Sequence, residues 1–279
     1  MNFKDILKNI IWKDESNYNF SLPQSDEKNN INYISDEDLK LEENIYTNLP
    51  SNLDFIKMKY NSMINSDVLI REFSISANSK EIKAFIVFID GMVDTNLINS
   101  HVLKPLMLNN KTDNKTYLKN NIVIKKIKKI DTEQFIMNTL IPQNNIKKQT
   151  KFKDIISSIN SGNCALFIDS FSFAIDIDVK GFKQRSINTP NNEVIIKGPQ
   201  EAFVENLRTN TTMLRRVINN ENLIIENINV GKITETKCAI CYMKNIANDD
   251  LVAEVKYRIN NLKIDSLLSS RTTRAINYN

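Results

Sequence analysis

Residues 82–90, IKAFIVFID, and residues 236–243, TKCAICYM, are the two runs from which the fold is read. Both have the length and the β-branched, aromatic and small apolar content of buried strands. Each follows an alternating run, with Leu69, Phe73 and Ile75 on one face in the first case and Ile224, Ile228 and Val230 in the second. Each precedes a helix opened by a small polar cap, Asp94 or Asn248. An amphipathic helix stands before each pair, with stripes of Leu53, Ile56, Tyr60 and Ile64 and of Phe203, Leu207, Leu214 and Ile218. The helix–strand–strand–helix order of 51–107 therefore returns at 200–262.

The repeat has a register. An offset of 154 sets Ile86 on Ile240, Asp94 on Asn248, Leu97 on Leu251 and Ile98 on Val252, while the first strands need 155. A turn one residue shorter in the second copy accounts for the slip. The pattern predicts an α/β (mixed α+β) protein of two related subdomains, 35–149 and 150–268, each a helix–strand–strand–helix unit with a small mixed sheet. Residues 1–34 read as a flexible polar tail with a short basic amphipathic helix, which either lies on a membrane surface or docks on its own domain. Residues 269–279 match nothing in the pattern.

Other elements follow in order. Ser35 caps a helix over DEDLKLEENIYTNL, Pro50 starts the next, and Pro105 is expected to end the helix that begins after Asp94. NIVIKKIKKI reads as a strand whose lysines at 125, 126, 128 and 129 suit a solvated edge. TEQFIMNTL reads as a short helix, and Pro142–Thr150 as the polar connection at the domain boundary. KFKDIISSIN is a helix, Cys164–Asp169 a buried strand and Phe171–Asp178 its hairpin partner.

Composition closes off much chemistry. The chain has 279 residues, five glycines, one histidine and three cysteines, with a net charge of +4. No GxxxxGK[ST] or GxGxxG occurs, and so small a charge gives no electrostatic case for nucleic acid. His101 alone makes no zinc site, and the repeat puts it on the slot of Val255, as a core or boundary histidine. Cys238 and Cys241 form a CxxC on a strand rather than at a helix start, so they read as buried, inert thiols without metal. Asp90 and Asp169 each follow an FID strand, where turn chemistry explains Asp-Gly and Asp-Ser without catalysis. No apolar run reaches the roughly 18–20 residues of a membrane span. No cofactor, no metal and no enzymatic activity are expected.

One stretch stands out from the scaffold: Arg185–Ile218, RSINTPNNEVIIKGPQEAFVENLRTNTTMLRRVI. Gly198-Pro199 is read as opening a helix, with Glu201 and Glu205 near its positive end and Arg215 and Arg216 near its negative end. Asn206 and Asn210 lie beside its apolar stripe, where polar groups must find hydrogen bonds.

SGNCALFID followed by this stretch resembles the A subunit of the GerA family of bacterial spore germinant receptors. The resemblance rests on Gly162, Arg185, Ser186, Pro190, Glu193, Gly198, Pro199, Phe203, Glu205, Asn210, Arg215 and Arg216, and continues through Gly231, Tyr242, Arg258 and Asp265. Thr189, Lys197 and Val217 depart mildly from the family pattern. The closing RTTRAINYN does not match the membrane-spanning continuation that the family has, as in a truncated subunit. The resemblance implies a non-enzymatic, soluble N-terminal signalling and assembly domain in nutrient-triggered germination, within a complex at the spore inner membrane. Implied partners are a transporter-like B subunit, a lipoprotein C subunit and further A subunits, with a small nutrient as a potential ligand. The alternative is a two-lobed small-molecule-binding protein acting without a membrane domain.

The candidate contact residues are Arg185, Glu193, Lys197, Gly198, Pro199, Glu205, Asn206, Arg208, Asn210, Arg215 and Arg216. Two readings of them stand: contact with a partner subunit, or locking of this helix against the neighbouring subdomain.

Overall fold

The computed structural model describes residues 43–77, 80–108, 132–181, 202–262 and 264–265, all within the compact unit Ile34–Asn279. In chain order the elements are α1 (Leu49–Lys59), β1 (Val68–Ala77) and β2 (Lys80–Ile89), then a helical segment made of α2 (Thr95–Leu97), a π-helix (Ile98–Leu103) and α3 (Lys104–Met107). Next come α4 (Thr132–Phe135), which runs into a second π-helix (Ile136–Leu140), β3 (Ile146–Gln149), α5 (Phe152–Asn160), β4 (Cys164–Ile168) and β5 (Ala174–Ile177). The last four are α6 (Leu207–Val217), β6 (Leu223–Val230), β7 (Thr236–Met243) and α7 (Asp249–Asn260).

Strands β1–β5 form one sheet in the order β1-β2-β4-β5-β3, and β6 and β7 form a separate hairpin. Every strand pair is antiparallel, so the expected mixed sheets are corrected. The apolar run of β2 lies inside the larger sheet and is buried on both faces. Ala84, Ile86 and Phe88 enter one core, with Leu166, Ile175 and the π-helical residues Ile98, Val102 and Ile136. Phe85, Val87 and Ile89 enter the other, beneath α1 and α5. There Phe55 stacks on Phe152 at 3.9 Å between ring centroids and Phe85 on Phe167 at 4.6 Å. The apolar members of these two cores all lie between Ile45 and Val179.

The expected boundary at 149/150 does not separate two sheets. β4 pairs with β2 and β5 with β4, while the stretch read as a polar connection supplies β3, paired with β5. A hydrogen-bonded neighbour for an apolar central strand outweighs proximity in sequence here.

The second helix–strand–strand–helix unit is α6–β6–β7–α7, and its register repeats that of the first. Val68↔Ile89, Leu69↔Phe88 and Phe73↔Ala84 become Leu223↔Met243, Ile224↔Tyr242 and Ile228↔Cys238 at the offsets of 155 and 154. The caps repeat as well. Asp94 accepts from the N–H of Asn96 and Leu97, and Asn248 from those of Asp250 and Leu251. The residue missing from the second copy has a structural consequence. The first ladder runs to Ala77↔Lys80, around two residues. The same register in the second copy would leave a single residue to turn, so the ladder opens early at Val230↔Thr236, around Gly231–Glu235.

Several local expectations are corrected. Residues 43–48, the described part of the first expected helix, are not helical, and Ile45 N–H bonds the Thr150 carbonyl instead. α1 ends at Lys59, leaving Ile64 outside it. Pro105 does not end its helix, which continues to Met107. The preceding turn widens to π geometry, with Lys104 N–H bonding Asn99 O. That makes room where an α turn would press the proline ring on a carbonyl four residues back. His101 lies on this π-helix, half-buried, as a boundary residue. Cys238 and Cys241 are on β7 as read, but half-buried and exposed respectively, because no further strand covers that edge among the described residues. The 121–130 run lies outside the described residues.

Candidate functional site

Helix α6 begins eight residues after Pro199, at Leu207. Asn206 is its N-cap and accepts from Thr209 N–H at 3.1 Å. Asn210 binds both backbone groups of Val204: its Oδ1 accepts from Val204 N–H and its Nδ2 donates to the Val204 carbonyl, each at 2.7 Å. The two asparagines thus tie the incoming chain to the first turns of the helix. Glu205 precedes the helix and is exposed, as is Phe203, which does not join an apolar stripe.

The inward face of α6 is instead polar. Thr211, Thr212 and Arg215 are its buried residues, and half-buried Arg208 continues their line. These positions, at i, i+3, i+4 and i+7, share one side of a helix. Arg208, Thr212 and Arg215 meet two turns of the first unit. Arg208 Nη2 meets Asp90 Oδ2 at 3.1 Å. Thr212 Oγ1 lies against Gly91, where an added Cβ would come within 2.2 Å of it, and Gly91 has φ +87°. The Asp90-Gly91 turn is therefore shaped to receive the helix.

Arg215 is 1% exposed. Its Nε donates to Asp67 Oδ2 at 2.8 Å and its Nη2 to Asp67 Oδ1 at 2.9 Å. Nη2 also donates to Asn65 Oδ1 at 3.0 Å, and Nη1 to the Asn220 carbonyl at 3.3 Å. Burying two charges costs several kcal/mol per ion before pairing. The bidentate geometry and the extra acceptors offset that cost.

Asn65 uses its carboxamide as a neighbouring strand would use a peptide group. It accepts from Ile225 N–H at 3.0 Å and donates to the Leu223 carbonyl at 3.1 Å. Ser66 adds its N–H and its hydroxyl to the Ile225 carbonyl, at 2.8 and 2.7 Å. The first unit thereby holds the edge of β6. A second cluster closes the join: Lys59 Nζ meets Glu221 Oε1 at 3.4 Å, and Asn160 Nδ2 donates to Glu221 Oε2 at 3.3 Å. The Tyr60 hydroxyl donates to Asn160 Oδ1 at 2.9 Å, and burial pushes the Tyr60 phenol well above its ordinary pKa, with Glu221 adding to the rise.

Of the expected contact residues, the structure thus brings Arg208 and Arg215 onto the first unit. Asn206 and Asn210 act within their own segment. Arg216 is exposed beside the inward face of α6, and Arg185, Glu193, Lys197, Gly198 and Pro199 lie outside the described residues. Asp90 and Asp169 do not meet. They follow antiparallel neighbours, and Asp169 N–H bonds the Lys83 carbonyl, at the end of β2 away from Asp90. Asn65, Ser66, Asp67 and Glu221 were missed by the sequence reading. A signal for them exists: Asn65-Ser66-Asp67 and Asn220-Glu221-Asn222 precede the two first strands at their shared offset of 155. Both triplets end on a carbonyl that accepts from the residue after the second strand, Asp90 or Lys244.

Among the described residues no group of His, Cys, Asp and Glu is placed to hold a metal, and no helix is long and apolar enough to cross a membrane. The arrangement positions one unit on another.

Comparison with known proteins agrees with this scaffold. The family described as Bacillus/Clostridium GerA spore germination protein matches residues 54–276. Spore germination protein KA of Bacillus subtilis is 31% identical over 206 residues, covering 74% of this chain and 35% of that protein. Spore germination protein B1 of the same organism is 29% identical, covering 82% of this chain and 43% of its own length. The chain therefore spans about two fifths of these relatives. The crystal structure of the N-terminal domain of the A subunit of the Bacillus megaterium spore germinant receptor GerK3 superposes with a TM-score of 0.56 at 28% identity. That match covers 85% of this chain and 80% of the GerK3 chain. With the family matched along most of its length and the fold shared with a solved relative, this chain belongs to the GerA family of spore germination proteins.

Proposed function

We propose that this chain is the signalling and assembly domain of a germinant receptor A-type subunit, acting without catalysis in nutrient-triggered spore germination. The observation that carries the reading is the Arg215–Asp67 pair. It lies within the family-matched region and joins two structurally repeated units through buried polar contacts, while neither of the two apolar clusters of the first sheet includes a residue of the second unit. Such a join transmits position: any partner that shifts α6 shifts β6 and β7 against the first sheet. On this reading the partners are the transporter-like B subunit, the lipoprotein C subunit and further A subunits at the spore inner membrane.

Capture of the tagged chain from spore membranes tests it. Wild type is expected to bring down receptor subunits, and Arg215→Leu to bring down fewer. Deletion of the gene is expected to slow germination in at least one nutrient. No captured subunit together with an unchanged response to every nutrient would overturn the proposal.

A further inference from the structure

The Asn65 carboxamide is held mostly by the second unit. Its Oδ1 accepts from Arg215 Nη2 and from Ile225 N–H, each at 3.0 Å. Its Nδ2 donates to the carbonyls of Tyr60 and Leu223, each at 3.1 Å. Of these four partners only Tyr60 belongs to the first unit; the others lie on α6 and β6. The next residue is bound by the same strand, since Ser66 gives both its N–H and its hydroxyl to the Ile225 carbonyl, at 2.8 and 2.7 Å. Asn65 is 2% exposed.

An Asn-Ser step carries a reactivity of its own. The backbone nitrogen after the asparagine attacks the side-chain carboxamide, and a small following residue leaves that approach open. The nitrogen gives its proton to solvent and bonds the asparagine Cγ, the Cγ–Nδ2 bond breaks, and the amide nitrogen leaves as ammonia. Water then opens the succinimide ring to aspartate or isoaspartate, with nothing oxidised or reduced. Docking restrains both reacting groups here: the Ser66 nitrogen is tied to Ile225, and Nδ2 is tied in part to Leu223.

The product does not fit the same place. An aspartate at position 65 sets a carboxylate oxygen, in place of Nδ2, against the carbonyl oxygens of Tyr60 and Leu223. It also brings a second carboxylate to the buried pair of Arg215 and Asp67, a charge without a partner of its own.

We propose that Asn65 is a deamidation site protected by docking of the second unit, and that loss of its amide nitrogen prevents that unit from docking again. Separation of the units exposes the step, and the step makes the separation permanent. The inference rests on the join alone and does not depend on the role in germination.

The intact chain is held in mildly alkaline buffer, and conversion is read by mass spectrometry of the tryptic peptide Tyr60–Arg71. That peptide also contains Asn61-Ser62, an internal control whose Ser62 N–H bonds the Lys57 carbonyl within the first unit. Asn65 is expected to convert about tenfold or more slowly in the folded chain than in urea, as a locally closed site does. Arg215→Met, which loosens the join, is expected to close most of that gap at Asn65 and not at Asn61. Asn65→Asp reproduces the product. It is expected to speed amide exchange at Ile225 by about tenfold or more while leaving Ile86 and Leu166 of the first sheet as in wild type. Three results would overturn the proposal: folded and unfolded chains converting Asn65 alike, Arg215→Met speeding both asparagines equally, or Asn65→Asp leaving Ile225 protected or exposing the first sheet as well.

Discussion

Arg215 and Asp67 lie 148 positions apart in sequence, are each 1% exposed, and are joined by hydrogen bonds of 2.8 and 2.9 Å. Arg215→Met is expected to strand the Asp67 carboxylate in the interior and destabilise the fold by about 3–5 kcal/mol. Adding Asp67→Leu removes the stranded charge, so the double variant is expected to recover part of that loss. Urea midpoints of the single and double variants check this. A double variant no better than Arg215→Met would mean that packing, not charge, holds the join.

Gly91 faces Thr212 with a left-handed backbone. Gly91→Ala combines that conformation with a Cβ placed against the threonine hydroxyl and is expected to cost about 1–3 kcal/mol. Thr212→Ala in the same chain relieves the contact but not the backbone conformation, so recovery should be partial. Thermal unfolding of the three variants separates the two contributions.

Asn210→Leu removes both hydrogen bonds to Val204. A loss of about 1–3 kcal/mol is expected, with faster amide exchange at Val204. A melting temperature equal to wild type would show that these bonds add nothing to the fold and would return Asn210 to a role in partner contact.

Alkaline pH should weaken the fold. Tyr60 is buried with its phenol raised well above 10.0, and burial, followed by the nearby Asp176, raises the Cys164 thiol strongly. A raised folded pKa means that stability is fully present below the unfolded pKa and is lost above it. The decline is therefore expected to begin above pH about 8.5, where an unfolded cysteine ionises, and to steepen above about 10 with tyrosine. Each group contributes a slope of about 1.4 kcal/mol per pH unit. Urea midpoints from pH 7 to pH 11 measure the decline. Cys164→Ala is expected to remove the early part of it.

Most of the scaffold was legible because its signals are local. Apolar alternation marked β1 and β2, caps at Asp94 and Asn248 marked two helix starts, and the offsets of 154 and 155 anticipated every pair of the second hairpin from the first. Family membership was legible for the same reason, since it rests on spacings within one stretch. The inward face of α6 was not. An apolar stripe of Phe203, Leu207, Leu214 and Ile218 fits the helical period, yet Phe203 precedes the helix and lies exposed. Arg208, Thr211, Thr212 and Arg215 fit that period equally well.

The sequence by itself determined most of the segments that become strands and helices, though not β3 or the start of α6, and how the two hairpins register, because residue periodicity and chain neighbours suffice for that. Tertiary structure decided which polar residues go inside. Arg215 is buried only because Asn65 and Asp67 arrive from the turn between α1 and β1 to receive it. The same holds for β4, whose place beside β2 rather than in the second unit is set by hydrogen bonding across more than seventy positions of chain. A buried charge is affordable only where its partner already waits, and no local pattern records where that partner will be.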